Sequence, residues 1–400
     1  MTFKALQNND IINTRTLLHE AIPLTGTILS GTYGTFKTED NIKNYSHGMF
    51  QTVYDYPYLS SSANHIFDIT VGLSTQGGLY GAIGTTAGQQ SKKKNIYNQM
   101  SQVLMGYDHT GSVLPFDQDG DIIAGGKKIT DAFIVPFSRM LVKDEIKKET
   151  FQLKLGVSGS LSGYDTPFGI GSSHVITISD VNAASEYRVN SPAGEYGILY
   201  ATSSLGNGHL LNRDSGLTAT VNGTIYWYAG LLFYQAGVAV LTSSLFMSCS
   251  TAAGGFGDGQ LGVGISNATT QTPQLIFGAS PYENGPKWVN AILTGSQISA
   301  SADYFRHRIQ NIQFNNTTEL NSTIYFCRAN HNEFNYSSNP TYLSKSKIRV
   351  KSIASDEPVS YITTVGLYNN NNELLATAKL SEPLKKTPSN EFVLRVRLDY

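Results

Sequence analysis

Charge is scarce in this chain: Asp, Glu, Lys and Arg make up 15% of its 400 residues, well below ordinary usage. A surface so poor in charge favours association over life as a free monomer. The formal net charge is −1, so no global field attracts a phosphate backbone, which disfavours generic nucleic-acid binding. The clusters Lys92–Lys94 and Lys385–Lys386 are too short for such a footprint and read as solvated loops. Cysteine is scarcer still. Cys249 and Cys327 sit in apolar surroundings (LFMSCS and IYFCRA), the pattern of buried free thiols. The opening MTFKALQNND has no apolar h-region, so the Asn-x-Ser/Thr sequons at Asn44, Asn222, Asn267, Asn315, Asn316, Asn321 and Asn335 read as by-products of composition.

What the chain has instead is Gly (38), Tyr (23) and Phe (18), with Asn, Ser and Thr throughout. This is a β-rich composition, and 400 residues suffice for two or three domains. Asp10–Ala21, with Asn9 as cap, predicts a short helix. Asn95–Tyr107 predicts the clearest amphipathic helix, with Ile96, Met100, Val103, Leu104 and Tyr107 on one face. From Ile129 the pattern turns to strands: DAFIVPFSRMLV, TFQLKLGVSG and HVITISDV, with DEIKKE as one helical turn between the first two. Glycine-rich connections favour antiparallel β over βαβ units.

The tract Ile225–Met247 (IYWYAGLLFYQAGVAVLTSSLFM) is long enough to span a bilayer. Gln235, Gly230, Gly237, its Tyr/Trp/Val enrichment and the lack of flanking basic residues favour two or three buried antiparallel strands over a membrane-active segment. Both glycines would stand at turns or bulges. Trp288–Leu293 predicts a short helix and Ser299–Ala302 a boundary. Strands at Ile309–Phe314, Thr323–Cys327 and Ile348–Val350 follow. The last forty residues predict a three-strand meander: Tyr361–Tyr368, an Asn369–Asn372 turn, Glu373–Leu380, a break at Pro383–Pro388, and Phe392–Asp399. The expected fold is therefore mainly β, with antiparallel sandwich-like domains and a few short helices. Its expected parts are an N-terminal mixed α/β attachment region (1–128), a central antiparallel β domain (129–302) and a C-terminal β-sandwich-like domain (303–400).

The segment VGLYNNNNELLATAKLSEPLKKTP (Val365–Pro388) resembles a strand pair recurrent in tail-collar, tail-fibre and baseplate proteins of tailed bacteriophages. Phe314–Ser344 is similar to a block found with this ending in virion structural proteins of marine T4-like phages. The resemblance implies a non-enzymatic virion structural protein of the tail, baseplate or neck, assembled in the host cytoplasm through contacts with itself and with other virion proteins. Alternatives are a receptor- or glycan-binding fibre or spike protein, a capsid decoration or head-closure protein, and a depolymerase. Fibre-shaft repeats are missing, and no acidic cluster marks a depolymerase.

No motif for chemistry stands out, and no cofactor is expected. Asp117, Asp119 and Asp121 (FDQDGD) suggest an irregular calcium loop or an acidic solvent loop; Ile122 and Lys128 occupy the positions where an EF-hand needs Gly and Glu. Gly257, Gly259 and Gly262 form G-x-G-x-x-G without the flanking strand and helix of a dinucleotide site. Cys327, His331 and Glu333 are half a zinc site at best. The histidines are scattered and no G-x-S-x-G marks a nucleophile. Two aromatic clusters, Tyr54, Tyr56 and Tyr58, and Tyr226, Trp227 and Tyr228, are candidates either for subunit contacts or for core packing.

Overall fold

The computed structural model describes residues 3–25, 40–77, 80, 89–118, 120, 128–158, 174–203, 218–243, 293, 297–306, 309–336, 343–344, 347–348 and 357–400. The first elements are β1 (Ile11–Thr25), β2 (Ile42–Asn44), β3 (Gln51–Tyr54), β4 (His65–Leu73), α1 (Gln90–Leu104), β5 (Asp131–Pro136), α2 (Arg139–Val142), β6 (Glu145–Ile146), β7 (Gln152–Ser158) and β8 (His174–Ser179). There follow α3 (Ala183–Glu186), β9 (Arg188–Ser191), β10 (Gly194–Ser203), β11 (Thr218–Val221), β12 (Thr224–Phe233), β13 (Val238–Thr242) and α4 (Ile298–Arg306). The last are β14 (Ile309–Ala329), β15 (Leu343–Ser344), β16 (Lys347–Ile348), β17 (Ser360–Tyr368), β18 (Leu374–Lys386) and β19 (Phe392–Asp399). The chain is mainly β, built on antiparallel pairs with a few short helices.

Contacts divide the chain into His19–Thr318 and a second unit of Met1–Leu18 with Glu319–Tyr400, to both of which β1 and β14 contribute. The expected boundaries at 128 and 302 do not coincide with this division, and α4 runs through Ser299–Ala302.

In His19–Thr318 the strand order is β14-β7-β8-β10-β12-β13-β5-β4-β3-β2. Its central strands are covered on both faces, and alternate residues enter two separate cores. On β5, Phe133 and Val135 enter one core and Ala132 and Ile134 the other; on β13, Ala239 and Leu241 oppose Val238 and Val240. Double burial explains why Ile225–Met247 reads as a continuous apolar run: its described part is β12, a turn and β13, buried among strands. Gly237 occupies the turn with φ 65°. Gly230 stands beside a bulge, where the pairing of β10 with β12 slips at Leu199 and Tyr200.

The second core is closed by α1 through Ile96, Tyr97 and Leu104. The helix comes as close as Gly72 allows, since a Cβ there would stand 3.1 Å from the Tyr97 Cα. Its buried face also holds Lys93 and Ser101, whereas Val103 and Tyr107 are exposed. The stripe turns this way because Tyr97 donates to the Ile129 carbonyl at 2.5 Å and Ser101 to that of Leu114. Lys92–Lys94 are thus helical rather than a loop, and the buried Lys93 Nζ donates to the Leu293 carbonyl at 2.6 Å. On the first core, α4 stacks Phe305 on Phe133 with ring centroids 4.8 Å apart.

Two helices expected from sequence are strands. Ile11–Thr25 is β1, preceded by a single 3-10 turn at Asn8–Asp10. Its β-branched Ile11, Ile12, Thr14 and Thr16 suit a strand, and Asn13 and Thr14 meet Thr323 and Ser322 of β14. DEIKKE supplies β6, whose Ile146 pairs with Asn316.

In the unit of both termini, β14 pairs with β19 from Ser322 opposite Asp399 to Ala329 opposite Phe392. β17 and β18 form a separate two-stranded hairpin, so the expected three-strand meander resolves into a hairpin plus a strand on β14. Asn369 makes the turn: its side-chain oxygen accepts from Asn371 N (2.9 Å) and Glu373 N (2.8 Å), and Asn372 takes φ 61°. β18 continues past Pro383, which lies in the bulge between Lys379 and Leu384, where its missing N–H costs no ladder bond. Lys386 is buried rather than solvated, donating to the His331 carbonyl (3.2 Å), Asn335 Oδ1 (2.7 Å) and the Thr387 carbonyl (2.8 Å).

Candidate functional site

The short strands β2, β3 and β4 bury one face fully and the other in part: on the outer face Thr52 is buried and Lys43, His65 and Asp68 are half-buried. Ile42, Val53 and Phe67 lie side by side on the buried face. One residue along, Lys43, Thr52 and Asp68 form a row across the three strands on the outer face. A bulge at Ile66 separates the pairs Val53–Phe67 and Tyr54–His65. The extra residue reverses the alternation, burying Ile66 and turning His65 to the outer face beside Tyr54.

These side chains form one network. Thr52 Oγ1 donates to Asp68 Oδ1 at 2.6 Å, and His65 Nε2–H donates to the same oxygen at 3.1 Å. The Asp68 carboxylate lifts the His65 imidazole above its ordinary pKa, with partial burial pulling the other way. Burial raises the Tyr54 phenol, and its contact with Tyr45 adds to the shift. The Lys43 ammonium lies 4.8 Å from the Tyr45 ring centroid and 5.9 Å from that of Tyr58. Tyr45 stacks on His47 at 5.0 Å, and Tyr58 leans on Tyr54 at 6.3 Å. The loop carrying Tyr56 and Tyr58 is tied at its base, where Asp55 accepts from Asn64 N (2.6 Å) and Nδ2 (2.8 Å), and at Tyr58 N, which donates to the Asp40 carbonyl (2.8 Å).

Tyr54 and Tyr58 therefore belong to one outer face, and Tyr56, on the same loop, is 59% exposed. Sequence reasoning missed Lys43, Tyr45, His47, His65 and Asp68, because a three-residue strand and a bulge leave no periodic trace. The other aromatic cluster is not a single patch. Successive residues on β12 face opposite ways: Tyr226 and Tyr228 pack into one core, Trp227 against the other, and Tyr228 is fully buried.

Comparison with protein-family models, curated proteins and solved structures finds no match.

Of the candidate calcium loop, Asp117 is buried and accepts from Lys128 Nζ at 2.6 Å, so an ammonium already answers its charge. Asp119 and Asp121 lie outside the described residues, as do Cys249 and the glycines at 257, 259 and 262. Cys327 is half-buried and its thiol pKa is raised by burial. Glu333 pairs with Lys4 at 2.5 Å, and His331 offers its carbonyl to Lys386. Among the described residues no three His, Cys, Asp or Glu side chains are grouped to hold a metal, and no helix is long and apolar enough to cross a membrane.

The unit of both termini presents a different surface. Among its described apolar side chains only Ile324, Ala329 and Val396 are buried. Leu375 (68% exposed), Val393 (56%) and Tyr400 (76%) face solvent, together with Phe3, Tyr361 and Leu374. A hairpin such as β17–β18 is marginal unless a third strand or another packed element covers it.

Proposed function

We propose that this chain is a structural subunit of a tailed-bacteriophage virion, in the tail, baseplate or neck, joining copies of itself and neighbouring subunits through the unit built from its two termini. The phage assignment rests on the resemblance of Val365–Pro388 and Phe314–Ser344 to phage structural proteins. The assembly role rests on one observation: among its described residues this unit exposes Leu374, Leu375, Val393 and Tyr400 while burying few apolar side chains. A unit of that size needs more buried apolar surface to stand alone, and contact with other subunits would supply it. On this reading the work is geometric and non-enzymatic: the doubly covered sheet of His19–Thr318 provides rigidity, and symmetric copies build the assembly.

A map of the intact particle tests the reading. Density for this chain at the tail base or neck, in a symmetric ring, would support it, and absence from purified particles would overturn it. Density on distal fibres would favour the second reading, receptor or glycan binding, for which the outer face of β2–β4 is the supporting observation.

A further inference from the structure

The outer face of β2–β4 belongs to the larger unit, and its chemistry differs from that of the apolar surface on the unit of both termini. Aromatic rings and polar groups are interleaved on it. Tyr54, Tyr58 and the Tyr45–His47 stack surround the row Lys43, Thr52 and Asp68. Thr52 is buried at the middle of this row, so the polar groups that reach solvent are Lys43 at one end and Asp68 with His65 at the other, about two strand spacings away.

The charges on this face are locally answered. The Lys43 ammonium rests over two phenol rings, and Asp68 Oδ1 is shared by Thr52 and His65. An anionic ligand would meet the Asp68 carboxylate, and a cation would meet Lys43. A dry protein contact would have to desolvate Lys43, His65 and Asp68 at its centre, where protein interfaces are depleted of charge. A ligand with flat C–H faces and many neutral hydroxyls meets none of these penalties. Its ring can stack on a phenol face while its hydroxyls exchange hydrogen bonds with Asp68, His65 and the tyrosine hydroxyls.

We propose that this face binds a neutral saccharide, with a pyranose ring stacked on Tyr58, which is 37% exposed on its tied loop. The bulge at Ile66 serves the site by bringing His65 round to complete it.

Saturation-transfer NMR on the full chain tests this, with the methyl glycosides of glucose, galactose, mannose and N-acetylglucosamine as probes at millimolar concentration. Methyl glucuronide and inorganic phosphate serve as charged probes. The expected result is transfer to the ring C–H protons of at least one neutral glycoside, weakened at least about tenfold by Tyr58→Ala and kept by Tyr58→Phe. Tyr58 is exposed, so near-UV circular dichroism should confirm that both variants keep the fold. No transfer to any neutral glycoside, equal transfer in Tyr58→Ala, or a preference for the charged probes would overturn the proposal.

Discussion

Asp10 accepts the Nε–H of Arg328 at 2.6 Å, joining residues that stand 318 positions apart in the chain. Around this pair the terminal unit is held largely by polar contacts: Lys4 with Glu333, Arg15 with Glu319, and Ser322 with Asp399. The Arg328 guanidinium, with the Gln7 N–H, holds the Asp10 carboxyl below the usual carboxylate range. A depressed carboxyl stabilises the fold above its unfolded pKa and loses that effect as pH falls through the folded one. Asp10→Asn should therefore lower the protection of the β14 and β19 amides in hydrogen exchange at neutral pH, with the difference from the parent shrinking in acid.

Asp180 is a keystone of the other unit. Its buried carboxylate accepts from Glu149 N (2.8 Å), Phe151 N (3.0 Å) and the Tyr234 hydroxyl (3.1 Å). Burial pushes its pKa up to about 6. An unfolded Asp titrates near 4, so between about pH 4 and 6 the folded state binds the extra proton and stability falls as pH rises, by up to about 3 kcal/mol. Asp180→Asn should flatten that slope in urea titrations. Asp180→Ala strands two backbone donors and a hydroxyl, and should cost about 3 kcal/mol or more.

Lys93 gives the opposite slope at the alkaline end. Burial pulls its pKa down to about 8, against an unfolded value near 10.4. The unfolded state binds more protons between these values, so stability should rise with pH across that window, by up to about 3 kcal/mol. The rise should be absent in Lys93→Met.

Two glycines separate steric from conformational cost. A Cβ at Gly230 would stand 2.0 Å from the Val240 carbonyl oxygen and 3.0 Å from the Leu241 Cα, whereas at Gly223, in the hairpin turn with φ 77°, it would meet nothing within 4 Å. Gly230→Ala should cost about 3 kcal/mol or more, and Gly223→Ala about 1–2 kcal/mol, measured as shifts in denaturation midpoint.

In the larger unit β5, β7, β8, β12 and β13 were legible because they are short apolar or alternating runs, whereas β2–β4 and β9–β11 were not read as strands. Phe151, Leu153 and Leu155 alternate into one core as their spacing predicts. The Asn369–Asn372 turn was equally plain. What escaped were the partners: Phe392–Asp399 has a clear strand pattern, yet nothing in it says that β14 is its neighbour rather than β18. Asp10–Ala21 misled because Leu17, Leu18 and Ala21 fit a helical stripe while the pairing that decides the matter lies some three hundred residues away. The β2–β4 face was half legible. Tyr54 and Tyr58 are visible in VYDYPY, but Asp68 and His65 join them through cross-strand register and a bulge, which leave no local signature.

The mass of the full chain in solution, measured by light scattering across a dilution series, tests the assembly account most directly. A subunit that joins copies of itself should form a defined oligomer whose mass is a whole multiple of the single chain. Paired Leu375→Lys and Val393→Lys substitutions on the exposed apolar surface should shift it to monomer without loss of circular dichroism. A parent chain that stays monomeric, stably folded in both units at every concentration, would contradict it.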